Sequence, residues 1–379
     1  MISSLPAAID ADAPDRDLRL AAAERAAGLT VPSAELEVWR YSRIAELHLD
    51  EYSPAAVRTT VTGADDLVAD PAAVAALVAE MVVHDIFDEL SAAYHRTVAV
   101  QVPAGRVLTE PIVVTHHVEG DGVALFPRLV VLGGADSEFT VVERFESAPG
   151  ARALVVPRLL LHAGQAARVS YLGLNLLDTT VWSLGHQQAT GDRDSTTLLA
   201  TVALGGDYAR VRTDARLVGQ GATTKQVALY YADGHQMHDF RTLQDHAAPK
   251  TYSDLLFKGA VQDTAKSVYT GLIRIREEGR GSVAFQTNRN LTLSEGAWAE
   301  SVPNLDIRTN DVKCSHASTV GPIDEEQRFY LESRGIPPQV AERRVVLGFF
   351  DDVLAALPVG GLRPELRAHV AAKLDRRVS

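Results

Sequence analysis

The sequence has a single cysteine, Cys314, in 379 residues. One thiol excludes an internal disulfide framework and fits a reducing compartment. It also excludes any cluster held by several cysteines of this chain alone. No apolar run approaches the roughly 18 residues that a membrane-spanning helix requires. Residues 1–16 lack the basic-then-apolar order of a signal peptide. We therefore expect a cytoplasmic protein that does not associate with membranes.

Positive charge is also scarce. The chain has 37 lysines and arginines against 49 aspartates and glutamates, a net charge of −12. This balance argues against binding nucleic acid or acidic lipid through general electrostatics, and it fits protein partners. The sequence lacks a G-x-x-x-x-G-K-[ST] loop, so no nucleotide site is expected in this chain. It also lacks the G-x-S-x-G, H-E-x-x-H and C-x-x-C motifs.

Short β-prone runs are abundant after Arg96 and continue to about residue 320. Gly, Asp, Asn and Pro separate many of them, at spacings of roughly 8 to 15 residues. Such a series without clear intervening helices predicts an all-β unit, which we delimit as 96–322. No clean repeat period is visible, so local pattern alone leaves a sandwich, a barrel and a β-solenoid open.

Helical patterns flank this unit. In the N-terminal region, 1–95, Asp70 is a candidate N-cap before Pro71, and helical character continues to about Tyr94. In the C-terminal region, 323–379, Asp324 and Gln327 resemble a capping box. An apolar stripe at helical spacing follows, which we expect to be mostly core: Val346, Phe349, Phe350, Val353, Leu354 and Leu357. The pattern predicts an independent helical appendage.

Two groups of histidines invite a metal interpretation. His116 and His117 are adjacent, so in a strand they face opposite ways, and we expect this pair at the surface. A second group interleaves histidines with acids: Asp233, His235, His238, Asp239, Asp245 and His246. Carboxylate–imidazole clusters can bind metals or perform acid–base chemistry. Turn composition explains this group equally well and is the interpretation we favour, so its histidines receive no role.

The segment Asp311-Val-Lys-Cys-Ser-His316 carries a more specific arrangement. In a strand, residues i and i+2 point to the same face, so Cys314 and His316 would project side by side, roughly 6 to 7 Å apart. Thiolate plus imidazole suits iron, zinc or copper. The alternative is a buried apolar cysteine beside a solvated or core histidine.

The surrounding motifs carry a resemblance to a known family. They are Phe285-Gln-Thr-Asn288, Pro303-Asn-Leu-Asp-Ile307, Lys313-Cys-Ser-His316, Thr319-Val-Gly321 and Phe329-Tyr-Leu331. This succession resembles the C-terminal half of the SufB/SufD family of iron–sulfur cluster assembly proteins, strongly over about 235–357. The resemblance implies a mainly β fold with a right-handed parallel β-helix core. It also implies that Cys314 and His316 contribute to a cluster-building site at the interface with SufB.

The resemblance further implies the partners. A SufD-type chain is a non-catalytic subunit of a SufB–SufC–SufD complex and pairs with SufB, β-helix to β-helix. SufC, an ABC-type ATPase, would dock on the C-terminal helices, with six candidate contact residues: Phe329, Tyr330, Phe349, Phe350, Val353 and Leu354. A nascent cluster or iron would be shared with SufB, and the complex could aid iron entry. Complexes of some members bind reduced flavin. The motif departs from the family's common form, because Ala317 and Ser318 replace Gly and Ala.

Three alternatives remain open at this point. The chain could be a SufB-like scaffold, although a single cysteine favours the SufD type. It could be a purely structural β-solenoid, and the isolated chain could form a homodimer. It could also be a β-helix carbohydrate-active enzyme, whose acid–base or calcium residues would be Asp233, Asp239, Asp245 and Asp254.

Overall fold

A computed structural model describes residues 9–13 and 15–376. The described helices are α1 Arg16–Ala27, α2 Pro71–Ala79, α3 Ile86–Tyr94, α4 Glu325–Ser333, α5 Pro338–Phe349, α6 Asp351–Ala356 and α7 Arg363–Asp375. Short 3-10 turns lie at Glu37–Trp39, Ile44–Glu46, Leu49–Glu51 and Gly360–Leu362.

Twenty strands occupy the region between these helices. They are β1 Ser53–Pro54, β2 Arg58–Thr62, β3 Arg96–Val102, β4 Ile112–Val118, β5 Asp121–Leu125, β6 Pro127–Gly133, β7 Glu138–Ser147, β8 Arg152–Val155, β9 Arg158–Ala163, β10 Arg168–Leu176, β11 Val181–Gly191, β12 Thr196–Ala203, β13 Tyr208–Leu217, β14 Thr223–Ala232, β15 Met237–His246, β16 Tyr252–Val261, β17 Lys266–Ile275, β18 Ser282–Thr292, β19 Trp298–Ile307 and β20 Val312–Gly321.

The strands form a parallel β-solenoid of about eight coils, which confirms the expected fold class. Sheet A contains eleven strands and ends in the order β11-β13-β15-β17-β19. Sheet B contains nine, in the order β2-β4-β7-β10-β12-β14-β16-β18-β20. From β10 onward, each coil contributes one strand to each sheet before the chain advances to the next layer. In the two preceding coils, two shorter strands lie end to end in sheet A, β5 with β6 and then β8 with β9. Among the strands that the structure describes, only β2 pairs antiparallel, with β4, at the N-terminal end of sheet B.

The coil length is nearly constant even though no repeat is visible in the sequence. In sheet B one stacked position is occupied in successive coils by Arg168, Thr196, Thr223, Tyr252, Val283 and Lys313. These residues lie 28, 27, 29, 31 and 30 positions apart. A parallel register of this kind sends alternate side chains to the interior and to the outer face of each sheet.

The N-terminal helices cover the outer face of sheet A. Trp39, Phe87 and Leu90 pack in one buried cluster with Trp182 of β11 and Tyr208 of β13. Asp70 caps α2 as predicted, accepting a hydrogen bond from the backbone N–H of Ala72. Helical structure is interrupted between α2 and α3, and the N-terminal region also supplies strands β1 and β2 to the two sheets.

The C-terminal helices cover the outer face of sheet B. Asp324 accepts hydrogen bonds from the backbone N–H groups of Glu326 and Gln327, so the predicted N-cap is confirmed. Phe350 and Val353 are buried in a cluster with Leu229 and Tyr231 of β14 and many further apolar side chains of both units. The helices and sheet B thus share one core. The expectation of an independent appendage is wrong, because the apolar stripe needs the sheet to exclude water.

Two further observations concern the sequence expectations. His116 is fully buried, with its Nε2 3.0 Å from Glu143 Oε1 and its ring stacked on Phe145, so the expected surface position of this residue is wrong. Its strand neighbour His117 is partly exposed. Within residues 9–13 and 15–376, no helix is both long enough and apolar enough to cross a membrane.

Candidate functional site

The last two strands form the open end of the solenoid. β19 pairs only with β17, and β20 pairs only with β18, so each strand leaves one edge without a hydrogen-bonded neighbour strand. Among residues 9–13 and 15–376, no further coil or helix covers this layer, and side chains that would be buried in an inner coil are partly or largely exposed here. We refer to β19 and β20 together as the open end.

Cys314 and His316 lie on β20, on the side that faces the interior of the solenoid. Cys314 stacks on Ala284, and His316 stacks on Gln286. Both residues of β18 are buried, and Cys314 packs against Ala284 and against Ile273. The strand therefore presents the thiol and the imidazole side by side, as the i, i+2 spacing predicts. The side chain of His316 is exposed to solvent.

The opposite strand completes the mouth of the solenoid. Ser318 of β20 donates a hydrogen bond to Ser301 of β19 at 2.6 Å, so the two strands approach each other across the interior. Leu305 and Val320 are 41% and 42% exposed at this mouth. Large apolar side chains this accessible on two unpaired edges are typical of a surface that another protein covers.

A thiol and an imidazole are groups that iron and zinc accept as ligands. An iron or zinc ion takes about four ligands, and β20 offers two. Partial burial raises the pKa of the Cys314 thiol. The sulfur therefore stays protonated at neutral pH until a metal ion displaces the proton. Further ligands and exclusion of water have to come from outside these two residues.

The C-terminal helices divide the predicted contact residues into two groups. Phe329 and Tyr330 of α4 are 69% and 57% exposed. Phe350, Val353 and Leu354 are buried in the protein's own core, so the expectation that they form a contact surface is wrong.

Phe349 is partly exposed and, together with Tyr330, lines a cleft of about 860 Å³ between α4 and α5. The Lys258 ammonium lies 4.7 Å from the Phe349 ring centroid and donates to the Phe349 carbonyl at 2.9 Å. This contact anchors α5 to sheet B.

The acidic and histidine-rich segment does not form a common site. His238 and His246 are fully buried, and desolvation lowers the pKa of His238 to about 3 and that of His246 to about 4. His235 is exposed and contacts Thr264.

The acids of this segment have their own partners: Asp233 pairs with Lys373, Asp239 with Arg241, and Asp245 with Arg276. Asp254 is partly buried on β16, and burial raises the pKa of its carboxyl. The three paired carboxylates serve as structural anchors, which weakens the carbohydrate-enzyme alternative.

One cluster of potential metal ligands could not be predicted from the sequence. His84, His186 and Asp214 bring three potential ligand atoms within 4.8 Å of one another. Their distances along the chain give no motif, because only the stacking of β11 on β13 and the N-terminal cover brings them together.

Comparison with known proteins places these observations in context. Residues 116–349 match the family model described as SUF system FeS cluster assembly, SufBD core domain. The chain is 42% identical over 206 residues to an iron–sulfur cluster assembly SufBD family protein of Mycobacterium tuberculosis, covering 52% of each chain. It is 31% identical over 238 residues to the iron–sulfur cluster assembly protein SufD of Escherichia coli, covering 63% of this chain and 56% of that protein. The matched parts thus span about half the length of these relatives.

Proposed function

Because the chain belongs to the SufB/SufD family of iron–sulfur cluster assembly proteins, we propose that it is the SufD-type, non-catalytic subunit of a cytoplasmic SufB–SufC–SufD complex. The observation that carries this proposal is the position of Cys314 and His316 on the final strand of the solenoid, whose outer edge has no neighbouring strand. An incomplete ligand set at an uncovered edge fits a site that a second subunit completes.

SufB is the proposed partner at the open end. Its own β-helix would cover the exposed edges of β19 and β20 and the apolar mouth around Leu305 and Val320. Cys314 and His316 would then share a nascent cluster, or the iron for it, with ligands of SufB. Covering the mouth would also exclude water, which stabilises a cluster that solvent would otherwise remove. Iron entry and a reduced flavin in the complex belong to this proposal, with no flavin-binding residues assigned.

The ABC-type ATPase SufC is the proposed partner of the C-terminal helices. Support comes from the exposed rings of Phe329 and Tyr330 beside the cleft between α4 and α5. An exposed aromatic pair next to a cleft is typical of a protein–protein contact. Since the same helices share a core with sheet B, a force applied to them would reach the solenoid directly.

The decisive experiment compares C314A/H316A with K313A/S315A in a complex co-expressed with SufB and SufC. Lys313 and Ser315 lie on the same strand but alternate with the two ligands, so their substitution is the matched control. We expect C314A/H316A to lose cluster assembly, measured by absorbance after anaerobic reconstitution. Its stability should change by no more than about 1 kcal/mol, because neither side chain is fully buried. Unchanged assembly in C314A/H316A would refute the ligand role.

A second arm separates the SufD-type subunit from a SufB-like scaffold. The wild-type chain alone, reconstituted with iron and sulfide and then desalted, should retain no cluster, because two ligands leave it open to solvent. A stoichiometric cluster on the isolated chain would identify it as a scaffold in its own right.

A further inference from the structure

A cluster of potential ligands lies on the outer face of sheet A, beneath the N-terminal cover. His186 of β11 and Asp214 of β13 are buried there, and their Nε2 and Oδ2 atoms are 3.1 Å apart. His84 reaches the same carboxylate from the connection between α2 and α3, with its Nε2 3.8 Å from Asp214 Oδ2. Its side chain is 32% exposed, so the cluster is accessible from solvent.

We propose that His84, His186 and Asp214 bind a single divalent first-row transition metal ion, either Zn²⁺ or Fe²⁺. Metal–ligand bonds of roughly 2.0 to 2.2 Å in a tetrahedron place neighbouring donor atoms roughly 3.3 to 3.6 Å apart. The two separations to Asp214, 3.1 and 3.8 Å, bracket that value, and the ligand atoms of the two histidines lie within 4.8 Å of each other. Side-chain rotation of the partly exposed His84 would bring the three atoms to the required spacing. Two imidazoles with one carboxylate form a recurrent ligand set for zinc and for non-haem ferrous iron.

The surroundings of His186 support this arrangement. Asp88 Oδ1 lies 3.8 Å from His186 Nδ1, on the ring side opposite Asp214. A neutral imidazole that binds a metal ion through Nε2 carries its proton on Nδ1. Asp88 is the carboxylate that can accept a hydrogen bond from this Nδ1–H. Arg158 also contacts this Nδ1 and would have to withdraw from it. It already pairs with Asp88 at 2.7 Å, so withdrawal leaves it with a partner.

Nearby positive charge limits the affinity without excluding the ion. Arg212 donates to both oxygens of Asp214 at 3.0 Å, so the carboxylate divides its charge between this guanidinium and the metal ion. Asp85 lines the same cleft of about 80 Å³, along with His84, and adds negative charge close to the site. His84 and His186 both line this cleft, so water or a small ligand within it could supply a fourth ligand.

This site is separate from the open end. β11 and β19 are separated by β13, β15 and β17 in sheet A, a distance of roughly 19 Å across the strands. It contains no thiolate, so its ligands suit a mononuclear ion and do not suit a cluster. The inference therefore extends beyond the proposed assembly role and does not depend on it.

The test uses the 379-residue chain carrying C314S/H316A, which removes the two proposed ligands at the open end. We call this variant the parent. Equilibrium dialysis against Zn²⁺, and separately against Fe²⁺ under anaerobic conditions, measures bound metal. We expect one equivalent of at least one of the two ions, and binding at least about tenfold weaker after the additional H84A substitution. Thermal unfolding at one fixed metal concentration should show that the metal raises the unfolding midpoint of the parent more than that of the H84A variant.

The matched control is H162A in the same background. His162 pairs with Asp192 at 3.1 Å on the same sheet, and both side chains are partly exposed, but neither belongs to the three-ligand group. H162A should bind as much metal as the parent. The proposal is overturned if the parent binds neither ion, if H84A binds as tightly as the parent, or if H162A loses binding equally. The ion retained by the parent identifies the metal.

Discussion

Buried histidines make individual residues of this protein sensitive to acid. Desolvation lowers the pKa of His95 and His238 to about 3 and that of His246 to about 4, all below the ordinary value of 6.5. In the unfolded chain each imidazole takes up a proton as the pH falls through 6.5, whereas the folded protein keeps it neutral. The free energy of unfolding therefore falls between pH 6.5 and pH 4.

His246 provides a direct test at this scale. Its two ring nitrogens contact the hydroxyls of Thr251 and Ser253 at 2.7 and 2.8 Å, so the neutral ring is fully used. The downward pKa shift is worth up to about 3 kcal/mol of stability lost on acidification. We expect H246Q to be less stable than wild type at pH 7 and to lose less stability between pH 7 and pH 4, as measured by urea unfolding.

The control is H316Q, because His316 is exposed on β20. Its unfolding free energy at pH 7 should match that of wild type, because an exposed side chain loses little packing when it is replaced. If H246Q lost as much unfolding free energy as wild type between pH 7 and pH 4, the lowered pKa of His246 would not account for the acid sensitivity.

At the scale of the element, the C-terminal helices have one face that packs on sheet B and another that is exposed to solvent. Phe350 is 1% exposed and packs toward Tyr231, with ring centroids 6.5 Å apart. Phe329 presents the same side chain to solvent. One phenylalanine thus secures the helices to sheet B, and the other is free for a partner.

Substituting the two phenylalanines should separate these duties. F350A should lower the free energy of unfolding by about 3 to 5 kcal/mol, because it leaves a cavity in the shared core. F329A should change stability by no more than about 0.5 kcal/mol and should weaken capture of the ATPase subunit in a pull-down. If both F329A and the double variant F329A/Y330A captured the ATPase subunit as fully as wild type, the proposed docking surface would be contradicted.

The same elements show which local signals the sequence carries. Asp70 and Asp324 act as N-caps because capping needs only a side chain and the next few backbone N–H groups. The coil repeat is harder to detect in the sequence, because what repeats is a backbone conformation and not a residue type. A left-handed residue precedes each of six successive sheet B strands, and its identity varies: Asp136, Ala166, Asp194, Gly221, Lys250 and Gly281. Since only two of the six are glycine, sequence periodicity is weak while the turn geometry is regular.

At the scale of the whole molecule, the open end is the feature that another chain should recognise. Its two unpaired edges are ten residues long each, and an edge of that length is a template for strand pairing. The isolated chain should therefore self-associate when its partner is absent.

Placing a charge in the mouth tests this expectation. We expect L305K to weaken self-association, and binding to SufB, at least about tenfold, because the ammonium would be buried in the interface. Light scattering after size-exclusion chromatography over a concentration series measures the first effect. V68K is the control, since Val68 is 89% exposed in the N-terminal region. A wild-type chain that stays monomeric throughout, or an L305K variant that associates normally, would contradict the prediction.

Only part of the functional chemistry was predictable from sequence at this scale. Cys314 and His316 could be paired because strand geometry fixes residues two positions apart on one face. His84, His186 and Asp214 could not, since their proximity depends on coil stacking and on the N-terminal cover together. The helical stripe predicted that residues such as Phe350 and Val353 are mostly core, but it did not reveal that sheet B is the surface that buries them.

The stacking of coils also sets how local stability is distributed along the solenoid. Each inner coil is held by neighbours on both sides, whereas the coil of β19 and β20 is held on one side only. In a quasi-one-dimensional stack, opening begins where a nearest neighbour is missing. The backbone amides of β20 should therefore exchange their hydrogens sooner than those of β14 or β16. A partner that binds β20, the strand that carries Cys314 and His316, would therefore slow hydrogen exchange most in that strand. Because each coil supports the one before it, binding would also slow exchange in the preceding coils.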